Sequence, residues 1–148
     1  MRIEKGFSEF IALLNTHEVH YLVVGGFAFS FYAEPRFTRD IDFLIDISTR
    51  NTEKLLRALD EFGFGSIGLK AEDFQQPGRT VQLGHDPIRI DILTSIEGVT
   101  FGEAWCNRVE GRYGNHLVYF ISKKDLIRNK PTLGRTRDLA DIEKLESI

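Results

Sequence analysis

Cysteine is almost missing from this chain. Cys106 stands alone among 148 residues, so no internal disulfide can form and a reducing, cytoplasmic setting is the expectation. Its thiol is expected to be buried or idle. A basic excess is missing too. Nineteen Lys and Arg against 22 Asp and Glu leave a formal charge of −3, which argues against a dedicated nucleic-acid binder while leaving room for a local basic patch. No apolar run approaches transmembrane length, and the opening MRIEKGFSEFIALL lacks the uninterrupted stretch of a signal peptide. There is no internal repeat, no low-complexity tract, and no linker rich in Pro, Gly or Ser. The remaining content, 42% hydrophobic, suits one compact domain over residues 1–148, with a real core and no room for a second domain.

The chain is organised around Tyr21 to Asp46, YLVVGGFAFSFYAEPRFTRDIDFLID. This stretch reads as an apolar strand (Tyr21 to Val24), a Gly25-Gly26 turn, a short helix to about Tyr32, a loop through Pro35, and a second strand. Side chains alternate along a strand, so Asp40 and Asp42 share one face while Ile41, Phe43 and Ile45 share the other. Two carboxylates on one face are costly without a cation. Hard divalent ions take oxygen ligands and keep part of their shell for water and substrate phosphates, so this pair suits magnesium. Gly25 and Gly26 supply the complementary half. Without Cβ atoms the backbone can approach a ligand closely, and the following helix directs its free N–H groups and positive dipole end toward an anion. Glycines for phosphate and aspartates for metal describe a nucleoside triphosphate site.

The pattern resembles the DNA polymerase beta-type nucleotidyltransferase superfamily, with its apolar strand, Gly-Gly or Gly-Ser pair, short helix and Asp-x-Asp on the next strand. A third acid on a later strand belongs to that pattern, and Arg89-Ile90-Asp91-Ile92-Leu93 offers Asp91. Gly-Gly-x-Ala, Arg36-x-Thr38-x-Asp40-x-Asp42, Arg89-x-Asp91 and the closing Lys130-Pro-Thr-Leu-Gly-Arg135-Thr-Arg-Asp138-Leu-Ala-Asp141 look more closely like small prokaryotic nucleotidyltransferases related to AbiEii-type toxins. The resemblance covers nearly the whole chain. It implies transfer of a nucleoside monophosphate from an NTP, ATP by default, to a hydroxyl acceptor, with release of pyrophosphate. Asp40, Asp42 and Asp91 would hold two Mg2+ ions, with Mn2+ as a substitute, and Asp91 would double as general base. Gly25 and Gly26 would receive the triphosphate.

Second-tier nucleotide contacts are expected from Arg36 or Arg39, whose guanidinium groups suit phosphate, and from Lys130, at a helix end before Pro131. Thr38 either caps a turn or bonds a phosphate oxygen. His17, His20, His85 and His116 are scattered without metal-ligand spacing and read as structural or surface residues. Trp105 either packs the core or stacks a base.

Elsewhere the periodicity predicts helices over Ser8 to Asn15, capped by Ser8, and over Asn51 to Phe62, stopped by Gly63 in a left-handed conformation. Gly63 to Arg79 reads as loop bordering the cleft, with one helical turn near Glu72 to Phe74. Thr80 to Leu83 and Ile88 to Leu93 read as a hairpin, Phe101 to Cys106 as a helical turn, and Leu117 to Ile121 as a strand. Ser122 opens a helix to about Asn129, and a last helix spans Arg137 to Leu145. Together these make an α/β (α+β) fold, a small mixed sheet with helices packed on it. The Asp-x-Asp strand lies beside the first strand, and Asp91 on a neighbour.

Two other readings compete with the transferase. One is a non-catalytic nucleotide-binding or interaction module, such as one half of a toxin–antitoxin pair. The other is a metal-dependent phosphohydrolase or sugar-nucleotide transferase, which leaves the Gly-Gly helix unexplained. The acceptor, a protein, a transfer RNA end or a small molecule, is not encoded in any motif, nor is a homodimer.

Overall fold

Tyr21–Val24 is buried at all four positions, as only a strand covered on both faces can be, and it forms β1 near the middle of the sheet. The computed structural model describes residues 4–33, 40–85, 88–129 and 136–147, without the side chains of 66, 85, 88 and 136–139. Asp40–Ile45 (β2) runs antiparallel to β1, and Ile88–Leu93 (β4) lies parallel on the far side of β2. Thr80–His85 (β3) closes that edge as a hairpin with β4. On the other side His116–Phe120 (β6) is parallel to β1, and Val109–Tyr113 (β5) is antiparallel to β6. The order is β3-β4-β2-β1-β6-β5, so β2 is an interior strand and its aspartates do not decorate an edge.

The hydrophobic face of the sheet carries Ile41, Phe43, Ile45, Ile90 and Ile92, all buried. Helix α1, Lys5–Thr16, lays Phe7, Phe10, Ile11 and Leu14 toward the core, and the Phe10 ring meets Phe43 edge-on at 5.3 Å. A fully buried side chain of this size contributes about 1.5–3 kcal/mol. The helix begins one turn before the expected Ser8 cap: Glu4 is the N-cap residue and accepts from Ser8 N–H at 3.0 Å. Burial of Phe7 against Phe27 draws that extra turn onto the core. Helix α3, Thr49–Leu59, packs on α1 through Leu55, Ala58 and Leu59 and passes into a widened turn where Gly63 has φ 111, the positive value expected of its terminator. Helix α2, Gly25–Tyr32, follows β1 directly, and α5 (Lys123–Asn129) and α6 (Thr136–Glu146) pack beside it.

Strand β5 is the element the sequence does not announce. The central Glu110-Gly111-Arg112 has little β-forming character, but Gly111 lets Phe31 and Phe120 stack closely against it, leaving no space for a Cβ. Trp105, on α4 (Phe101–Cys106), is half-buried, stacks on His20 and Phe101 and lies under the Arg108 guanidinium, so the ring packs within the fold. Cys106 is exposed, so of the expected buried or idle thiol the buried alternative does not hold, and none of the histidines forms a metal cluster among the described residues. No helix among the described residues is long and apolar enough to cross a membrane.

One buried amide ties the sheet to α3 at the end opposite Gly25. Asn51 accepts from His20 N–H at 2.8 Å and donates to His20 and Asp46 carbonyls at 3.1 and 2.7 Å. Asn51→Ala removes all three bonds and leaves the His20 N–H and the Asp46 carbonyl without this partner, while the His20 carbonyl still accepts from Asp46 N–H. The expected cost is about 2–4 kcal/mol, read as a lower urea midpoint with unchanged slope.

Candidate active site

Asp42 is the meeting point of three elements. It pairs in register with Val24 at the end of β1, and with Asp91 on β4. Gly25, the next residue after Val24, turns the chain at φ 67 and opens α2. A left-handed residue here must be glycine for a second reason: a Cβ would overlap Asp42 Oδ2. The expected turn is therefore made by Gly25 alone, while Gly26 already belongs to the helix. The same geometry sets the Asp42 carboxylate beside the N-terminus of α2, within reach of its dipole.

Parallel pairing places Asp40 opposite Arg89 and Asp42 opposite Asp91. Three carboxylates and one guanidinium thus share one patch of the polar face. Burial, the neighbouring charge of Asp91, a hydrogen bond to Asp91 and the charge of Asp40 push the Asp42 carboxyl up to about 7. Burial and Asp40 also raise Asp91, but the hydrogen bond from Asp42 and the charge of Arg89 pull it back. Burial and two neighbouring carboxylates thus favour a proton on Asp42, facing Asp91.

The donor set suits a hard divalent cation. Asp40 Oδ1 and Asp91 Oδ1 are buried and accept no hydrogen bond, leaving two carboxylate oxygens with lone pairs to offer. No three acidic, His or Cys side chains among the described residues are already drawn into a closed ligand cluster. The reason is local: Asp42 is turned to Asp91, and Asp40 to Arg89 at 3.5 Å.

A cleft of about 370 Å³ opens over Gly25 and Asp42. Its walls bring in Thr80, Ser95, Glu97 and Asn129, none of which a sequence pattern singles out, and Gly78 from the loop expected to border it. Ser95 Oγ accepts from Gly78 N–H at 2.7 Å, and Asn129 donates to the Glu97 carbonyl at 2.8 Å, so these walls are cross-tied. Arg36, Thr38, Arg39 and Lys130, the expected nucleotide contacts, lie outside the described residues.

A family model described as nucleotidyltransferase of unknown function (DUF6036) matches residues 3–147. The chain belongs to that family. This DUF6036 nucleotidyltransferase shares its fold with two solved structures, although both are too distant in sequence to say more. One is the lincosamide antibiotic adenylyltransferase LnuA in its lincomycin-bound form, with TM-score 0.59 and 20% identity over 98% of this chain and 97% of that one. The other is a nucleotidyltransferase of Thermotoga maritima, so described only putatively in its own name, with TM-score 0.58 and 15% identity over 95% and 90%. Comparison with curated proteins finds no match. The superfamily resemblance read from the motifs thus holds for the DUF6036 chain, and the mixed α/β sheet agrees with it; the narrower AbiEii-type relation is not among these findings.

Proposed function

We propose that this chain moves a nucleoside monophosphate from an NTP to the hydroxyl of an acceptor, with Asp40, Asp42 and Asp91 as its metal-holding carboxylates. The observation that carries the reading is the convergence on Asp42 of a glycine-opened helix N-terminus and a second acid in strand register. In the reaction the acceptor oxygen bonds to the α-phosphorus, the bond to the β-phosphate bridging oxygen breaks, and pyrophosphate leaves. Magnesium, when bound, offsets the charge gathering on the phosphates and lowers the pKa of the acceptor hydroxyl. The chain's own residues do the positioning. Gly25 and Gly26 present backbone N–H groups to the triphosphate. Asp91, in register with Asp42, is the carboxylate suited to take the acceptor proton, through the oxygen it does not give to the metal. The fold neighbour LnuA, lincomycin-bound, makes a small hydroxyl compound the first acceptor class to test, ahead of protein or transfer RNA.

Calorimetry with ATP, GTP, CTP and UTP, with and without magnesium, tests the reading. Magnesium-dependent binding followed by pyrophosphate release on addition of acceptor is the expected result. Nucleotide binding with no labelled product from any acceptor in a cell extract would favour a binding module instead. The pH dependence is a sharper check. Loading of magnesium at Asp42 requires departure of a proton held up to about pH 7, so affinity for the ion should tighten up to about tenfold per pH unit below 7 and level off above it. A flat profile would remove Asp42 from the metal set.

A further inference from the structure

We infer that Arg89 is a positioning residue that competes with the divalent cation for Asp40 and gives up this contact to the polyphosphate of the nucleotide. The inference rests on the function proposed above. Arg89 faces Asp40 across the β2–β4 pair, and its Nε stands 3.5 Å from Asp40 Oδ1. That separation lies beyond ordinary hydrogen-bond range, and Asp40 Oδ1, although buried, accepts no hydrogen bond. The guanidinium offsets the charge of Asp40 without satisfying its oxygen.

A permanent structural arginine looks different. It engages its carboxylate through two parallel N–H···O bonds and is held by further partners. The Arg89 guanidinium makes no hydrogen bond among the described residues, and the side chain is 38% exposed while that of Asp40 is 36% exposed. Its contact is therefore weak and open to exchange, which is what a cation must be if a metal is to replace it. It also stands two residues from Asp91 on the same face of β4, which puts a guanidinium beside the carboxylate patch. An anion with several phosphate oxygens is the natural second partner for such a fork. Metal loading at Asp40 and nucleotide binding then assist one another, because the nucleotide draws off the charge that opposes the ion.

The test uses two binding measurements on the purified full chain, neither of which needs turnover. Mn2+ binding to the protein alone is followed by electron paramagnetic resonance, and ATP binding is measured by calorimetry in EDTA. Arg89→Met should bind Mn2+ roughly two- to fivefold more tightly, the scale of one half-exposed ion pair, and ATP more weakly by at least that factor. Arg89→Lys, which keeps the charge, should stay nearer the parent in both. Opposite movement of the two affinities is what a merely structural arginine would not produce. Should Arg89→Met lose affinity for both ligands, or change neither, while the parent binds both and the Lys variant folds, the exchange role is overturned and the transferase reading stands. Should the parent itself bind neither Mn2+ nor ATP, the site reading fails and this inference falls with it.

Discussion

Asp42→Asn should abolish nucleotidyl transfer, by roughly a thousandfold or more, and leave a folded protein. The substitution is nearly isosteric, and the amide can donate to Asp91 as the protonated Asp42 carboxyl does. What it cannot do is ionise. Loss of activity would therefore report loss of a metal-holding oxygen, with the surrounding hydrogen bond kept. Stability should shift in the opposite sense to activity. The folded-state pKa of Asp42 lies near 7, above the ordinary carboxylate value of 3.8, so the native state holds a proton that the unfolded chain releases. Without metal, this group thus lowers stability progressively as pH rises from about 4 to 7, by a few kcal/mol in order of magnitude, and adds no further loss above 7. Asp42→Asn removes that decline. Thermal midpoints measured without metal at pH 5 and pH 8 should fall with pH for the parent and less so for the variant. Equal declines would mean that Asp42 is not the proton holder, and full activity would exclude it from the site.

The second large effect is expected at Gly25. Gly25→Ala places a Cβ on the Asp42 carboxylate and forces a non-glycine residue to φ 67. The backbone cost is about 1–2 kcal/mol, and the overlap displaces either Asp42 or the start of α2. Both belong to the nucleotide cradle, so transfer should drop at least about a hundredfold. Gly68 supplies the control. It has φ 79, close to that of Gly25, but an added Cβ would meet nothing within 4 Å. Gly68→Ala should cost only the backbone share of stability and leave transfer and nucleotide binding at the parent level. The difference between the two variants isolates the contact with Asp42. Equal activities would mean that close approach at Gly25 serves folding alone.

What could be read from residues and what could not divides along physical lines. β2 and β4 were legible because each sets acids at alternating positions among apolar residues, and alternation decides facing once one side is buried, while β1 was legible as an unbroken apolar run stopped by Gly25. Even so, the pairing of Asp42 with Asp91 needed the strand order, since nothing local in residues 88–93 says which strand they will join. β5 was hidden because Glu110, Gly111 and Arg112 are poor strand formers, and its place depends on aromatic packing from α2 and β6. The cleft walls were hidden for a similar reason. Thr80, Ser95, Glu97 and Asn129 are ordinary polar residues, brought to one opening by cross-ties such as Asn129 to Glu97. Arg89 was legible as part of a motif, but its contact with Asp40 was not.

The strand order also carries a consequence for the order of synthesis. The antiparallel β1–β2 pair is made first yet sits in the middle of the sheet, with β4 on one flank and β6 on the other. As the chain leaves the ribosome, Asp42 has no Asp91 beside it until residue 91 has emerged, and the open edge of β1 stays uncovered until β6 arrives near residue 120. Nascent chains halted between these points would hold an unpaired apolar edge with its acids already in place, the intermediate most exposed to wrong pairing and the one a chaperone would meet first.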